Sequence, residues 1–177
     1  MTMLIQGMTR QASFELLARA KLGRLACAHE GQPYITPMSV TYDTAWLYSF
    51  STLGQKITWM RANPHVCVEV EELVSRQDWA TVIVMGRYQE LATDADRTYA
   101  HDLLERRPAW WEPGYSKTVI EGKERPLKGV YFRICIEQIT GHLAIPEEDP
   151  RARVRGLRRC NEGGFRRTVR RRETLPW

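Results

Sequence analysis

Residues 24–57, RLACAHEGQPYITPMSVTYDTAWLYSFSTLGQKI, decide how this chain folds. Arg24 to His29 reads as a strand, and Glu30-Gly31-Gln32-Pro33 as a turn. Tyr34 to Tyr42 alternates and is rich in β-forming residues, Asp43-Thr44 turns the chain, and Ala45 to Ser51 makes a third strand. Strand, short turn, strand, short turn, strand is an antiparallel meander. At Gln55 the period changes. Ile57, Met60 and Arg61 fall at helical spacing, which predicts a helix over 55–62 that Asn63-Pro64 ends.

Working outward, Phe14, Leu17, Ala18 and Lys21 predict a helix from Thr9 to Lys21, with Thr9 or Ser13 as its N-cap and Gly23 as its stop. On the other side, His65 to Val70 alternates with Val66, Val68 and Val70 on one face. Trp79 to Leu91 reads as a long strand, and Gly86 inside it marks a bulge or a close backbone approach. A helix is expected from Thr93 to Arg107, capped by Thr93 or Asp94, and a last strand from Gly129 to Ile139. The order αβββαββαβ is mainly β with flanking helices. Six antiparallel strands on short connections exclude a doubly wound parallel sheet. A small closed or partly closed barrel is the expectation, because closure removes exposed sheet edges.

With 177 residues, 43% of them hydrophobic, the chain has the material for a sizeable core. The net charge of +5 is unevenly spread. Arg151 to Trp177 holds ten Arg against Glu162 and Glu173, so residues 1–150 carry net negative charge. We therefore expect one domain over 1–150 and an Arg-rich, disordered tail over 151–177. The tail lacks the interleaved aromatics of a single-strand-binding platform, which argues against a nucleic-acid partner. No apolar run approaches the roughly 20 residues of a membrane span, and Met1 to Gln6 has none of the parts of a secretion signal. Cys27, Cys67, Cys135 and Cys160 form no CxxC pair. A cytoplasmic protein is expected. His29, His65, His101 and His142 lack metal-ligand spacing, so no metal is expected.

Chemistry concentrates in Leu47 to Ile57. A strand ends in hydroxyl residues, a glycine turn follows, and the helix opens with Gln55 and Lys56. Unpaired amides at a helix start, with hydroxyls and a lysine beside them, make a phosphate cradle. The alternative is that Ser51 or Thr52 simply caps the helix while Lys56 is solvated. Walker and GxGxxG spacings are absent. Trp110-Trp111 with Tyr115 reads as an aromatic loop that stacks on a flat ring or lines an interface.

The ordered pieces Gly23-Arg24-Leu25-Ala26, Pro33 to Tyr42, Leu47 to Ser51 with Gly54-Gln55-Lys56, Met60 to Val70 and Trp79 to Glu90 resemble the FMN-binding split-barrel family related to pyridoxamine 5′-phosphate oxidase. The flavin-nucleotide-binding branch that includes nitroimidazole-resistance proteins is the most similar. The resemblance implies a six-stranded antiparallel split β-barrel that binds FMN as a homodimer. It implies Ser49, Ser51, Thr52 and Lys56 at the flavin phosphate, with Phe50 in the same stretch. Met38, Ser39 and Val40 would face the isoalloxazine, Arg24 would lie nearby, and Trp79, Trp110 and Trp111 would cover the ring from the partner. It further implies an FMN-dependent oxidoreductase acting on a small molecule, with NAD(P)H as a possible donor. A flavin-binding module without turnover and an F420-dependent reductase are the alternatives. Many relatives carry His near Ser49, which argues against nitroimidazole reduction here.

Overall fold

The structure, a computed structural model, describes residues 3–106, 118–120, 123–125 and 129–146. Trp110, Trp111 and the Arg151–Trp177 tail lie outside the described residues. In chain order the elements are β1 (Met3–Gly7), α1 (Arg10–Arg19), β2 (Leu22–His29), β3 (Gln32–Ser39), β4 (Thr41–Asp43), β5 (Trp46–Thr52), α2 (Gln55–Ala62), β6 (His65–Ser75), β7 (Asp78–Glu90), α3 (Asp94–Glu105), β8 (Thr118–Ile120), β9 (Lys123–Arg125) and β10 (Gly129–Pro146).

Eight strands form one antiparallel sheet in the order β3-β2-β6-β7-β10-β5-β4, with β1 also on β10. β8 and β9 pair as a separate two-stranded sheet. All six expected strands and all three expected helices are present. The strand number differs for three reasons. Met3–Gly7 is too short to declare itself by alternation, and it is a strand because β10 runs on to Pro146 and pairs with it. The short β8–β9 pair was not foreseen. The expected strand 34–42 is two strands, because the backbone breaks at Val40 and pairs with β2 before the break and β5 after it. One bent segment thereby supplies both ends of the sheet path.

The core is the inward face of this sheet under α1 and α2. Leu25, Val68, Val82, Val84, Phe132 and Ile134 pack there with Leu17, Ile57 and Met60, all fully buried. Each such side chain contributes about 2 kcal/mol of transfer free energy. Gly86 lies where β10 bulges between Ile136 and Gln138. A Cβ there would stand 2.2 Å from the Cys135 carbonyl oxygen, so close backbone approach explains that glycine. Gly23 does not stop α1, which ends at Arg19 with Ala20 as its C-cap. Gly23 lies in β2, where an added Cβ would meet Val68 and the Glu69 carbonyl.

Candidate functional site

β5 carries hydroxyl residues because its two faces meet different surroundings. Leu47, Ser49 and Ser51 turn inward, while Trp46, Phe50 and Thr52 are partly exposed. After Thr52 the chain turns through Leu53-Gly54 into α2. Tyr34, Thr36 and Pro37 of β3 come up beside that turn. With Ser51, Thr52, Gly54, Gln55 and Lys56 they line an open hollow of about 400 Å³.

The start of α2 has no cap. Its N-cap residue is Gly54, and no side chain accepts from the first-turn amides. Neither Ser51 nor Thr52 caps the helix. The Ser51 hydroxyl donates to the Thr52 carbonyl at 3.2 Å. The first turn also lacks an acid and holds Lys56 instead. A cation at the positive end of a helix dipole is unfavourable by itself. Lys56 is half-buried, and it makes no hydrogen bond or ion pair with any described residue. Burial pushes its ammonium below the ordinary lysine value, opposed by the nearby Cys27. Unpaired amides, hydroxyls and an unpaired lysine converging on one hollow suit an anion with several acceptor oxygens.

The other expected site residues are placed as follows. Ser49 is fully buried, and its hydroxyl donates to the Ser39 carbonyl at 2.7 Å, tying β5 to the end of β3. Met38 and Val40 pack into the core, so their side chains are turned away from solvent. The Ser39 hydroxyl is buried and has no hydrogen-bond partner among the described residues. Phe50 stands opposite Tyr131 of β10, their ring centroids 5.8 Å apart. Arg24 is on β2 and binds Glu71 at 2.7 Å and Glu69 at 2.9 Å, so its charge is already offset. These two carboxylates, Glu71 foremost, hold the guanidinium above its ordinary value. Trp79 is not beside the α2 hollow. It lies on β7 opposite Leu73 and Ala144, in a separate hollow lined by Arg19 and Glu72.

The structure thus brings together Ser51, Thr52 and Lys56, and it adds Tyr34, Thr36 and Pro37. Alternation along β3 placed these last residues on a strand, but only tertiary structure sets that strand beside α2.

Comparison with known proteins shows the family. A family model described as pyridoxamine 5′-phosphate oxidase matches residues 9–143. An uncharacterized protein of Rhizobium meliloti (strain 1021) is 39% identical over 150 residues, covering 82% of this chain and 99% of its own. The crystal structure of a FAD-binding protein from Mesorhizobium loti superposes with a TM-score of 0.67 at 38% identity, covering 82% of this chain and all of that one. An F420 reductase has the same fold, with a TM-score of 0.53 at 20% identity over 74% of this chain and 98% of that one. Sequence match, strand order and helix placement converge: the chain belongs to the pyridoxamine 5′-phosphate oxidase-like family.

Proposed function

We propose that the hollow at the start of α2 binds the phosphate of a flavin nucleotide, FMN, and that the chain works as a flavin-dependent oxidoreductase on a small molecule. The observation that carries this reading is Lys56, a half-buried cation without an ion-pair or hydrogen-bond partner among the described residues, set in the uncapped first turn of a helix. The bound flavin supplies the electron chemistry. The chain's own part is to bind and orient. Lys56 and the amides of Gln55 and Lys56 hold the phosphate, and the Ser51, Thr52 and Thr36 hydroxyls complete its contacts. The Met38–Val40 segment would run along the ring's polar edge. Arg24, neutralised by Glu69 and Glu71, adds little charge to the cradle.

We read the sheet as the family's split barrel, with the bend at Val40 joining its two ends. In this reading the protein is a homodimer, and Trp79, Trp110 and Trp111 of one protomer cover the ring bound to its partner. That arrangement makes sense of a Trp79 remote from the hollow of its own protomer. FAD is the second reading, favoured by the 38%-identical relative named as a FAD-binding protein.

The test is the visible absorption spectrum of the purified protein, followed by the mass of the released cofactor. Two flavin bands with an FMN mass support the proposal, and an FAD mass selects the second reading. A colourless protein that also refuses added FMN and FAD overturns both. NAD(P)H reduction of the bound flavin then separates an oxidoreductase from a binding module.

A further inference from the structure

The outward face of β5 continues past the hollow. Phe50 lies two residues before Thr52, so both side chains point to the same side of the sheet. Two strand residues advance about 7 Å, comparable to the reach of the ribityl chain between the phosphate and the ring of a flavin. At that distance the surface becomes aromatic. Tyr131 faces Phe50 across the β5–β10 ladder, and the two rings are tilted by only 30°. His101 of α3 stands edge-on to Tyr131, its Nδ1 3.1 Å from the tyrosine hydroxyl.

We infer that Phe50 and Tyr131 form the ledge on which the flavin ring lies, with the Tyr131 hydroxyl held in place by His101. This rests on the flavin reading above and adds the residues that touch the ring. Tyr131 and Phe50 are the contact residues, and His101 is a positioning residue. Neither Tyr131 nor His101 emerged from the sequence, because the contact joins α3 to two strands distant in the chain. The ledge is sequence-tolerant toward the ring it stacks, since stacking needs only a flat π-face.

The test uses the full chain and FMN itself, which has no adenine to confuse the result. A stacked tyrosine quenches flavin emission by donating an electron, and phenylalanine does not. Tyr131→Phe keeps the packing, so it should bind FMN nearly as tightly as the wild type while the bound flavin brightens. His101→Ala should brighten it in the same direction by less. Phe50→Leu keeps apolar volume but removes the ring, and should weaken FMN about tenfold. Inorganic phosphate should still compete in all three variants, since they leave Lys56 untouched. If Tyr131→Phe and Phe50→Leu match the wild type in FMN affinity and emission, while Lys56→Ala loses FMN, the ledge is wrong and the flavin reading stands. If the variants weaken FAD alone and leave FMN unchanged, the ledge takes adenine and the inference is overturned. If the wild type binds neither flavin, both fall.

Discussion

The three helices among the described residues begin in two different ways. α1 and α3 open behind threonines: Thr9 Oγ1 accepts from the Ala12 amide and Thr93 Oγ1 from the Asp96 amide. α3 adds Asp94 and Asp96 in its first turn, where the helix dipole favours negative charge. α2 opens behind Gly54 with no side-chain cap; like α1, which starts at Arg10, it has no acid in its first turn, and its cation, Lys56, is half-buried. The backbone at Gly54 is extended, with φ −173°, and an added Cβ would meet nothing closer than the Thr52 carbonyl at 4.0 Å. A capping residue would therefore fit there without strain. Where stability alone decides, this chain caps its helices. At the α2 start it forgoes a side-chain cap, worth roughly a few tenths of a kcal/mol over glycine, and sets a half-buried cation against the dipole, an arrangement that an incoming anion makes favourable.

The sharpest way to break the contrast is to give α2 the cap it lacks. Gly54→Asp should stabilise the protein without ligand by about 0.5 kcal/mol, a few tenths from the cap and the rest from a negative charge at the positive end of the helix. It should also place a carboxylate against the phosphate and cost about 3 kcal/mol of FMN affinity. Chemical denaturation and a flavin titration on the same preparation read the two opposite signs; weaker folding with unchanged affinity would show that Gly54 is needed for the turn and not for the anion. Next in size is Lys56→Ala, which removes the charged contact and should cost about 2 kcal/mol of FMN affinity with little change in unfolding midpoint. The control reverses the pattern. Thr93→Ala should lose about 1 kcal/mol of stability and leave FMN affinity where it was, read by the same two measurements.

The smallest effect is a pH dependence. Burial lowers the Lys56 pKa in the folded protein, so the unfolded chain binds that proton more tightly. The resulting destabilisation is complete below the lowered pKa and disappears as pH rises toward the ordinary value of 10.5. Compared with Lys56→Met, the flavin-free wild type should gain stability across that alkaline window. FMN affinity should fall across the same window, because only the ammonium holds phosphate, and Lys56→Met should abolish that dependence. Unfolding curves and titrations at several alkaline pH values check both slopes.

Local pattern carried much of this fold. The helices over 9–21, 55–62 and 93–107 and the six main strands follow from periodicity and turn residues, because those signals act over a few neighbours. What escaped depends on pairing between distant segments. Met3–Gly7 is a strand only because β10 extends to meet it, and Val40 is a break only because its two flanks bond to different partners. The same boundary runs through the site. Ser51, Thr52 and Lys56 share one short stretch and could be read together. Tyr34 and Thr36 approach it from β3, and the Tyr131–His101 contact joins β10 to α3; no local spacing announces either. Trp79 shows the converse, since an aromatic on a neighbouring strand carries no information about which hollow it will line.

The length of β10 sets the timetable by which the molecule can be made. This strand pairs with β7 along one side and with β5 and then β1 along the other. During synthesis the residues of β1 emerge first, yet their partner is the last strand of the sheet. Until Gly129–Pro146 arrives, Met3, Leu4 and Ile5 have no ladder to join, and they remain partly exposed even afterwards. A sheet completed so late folds slowly and leaves apolar edge segments open to other chains in the meantime. Heterologous production should therefore improve when translation is slowed or chaperone supply is raised, independently of whether cofactor is plentiful.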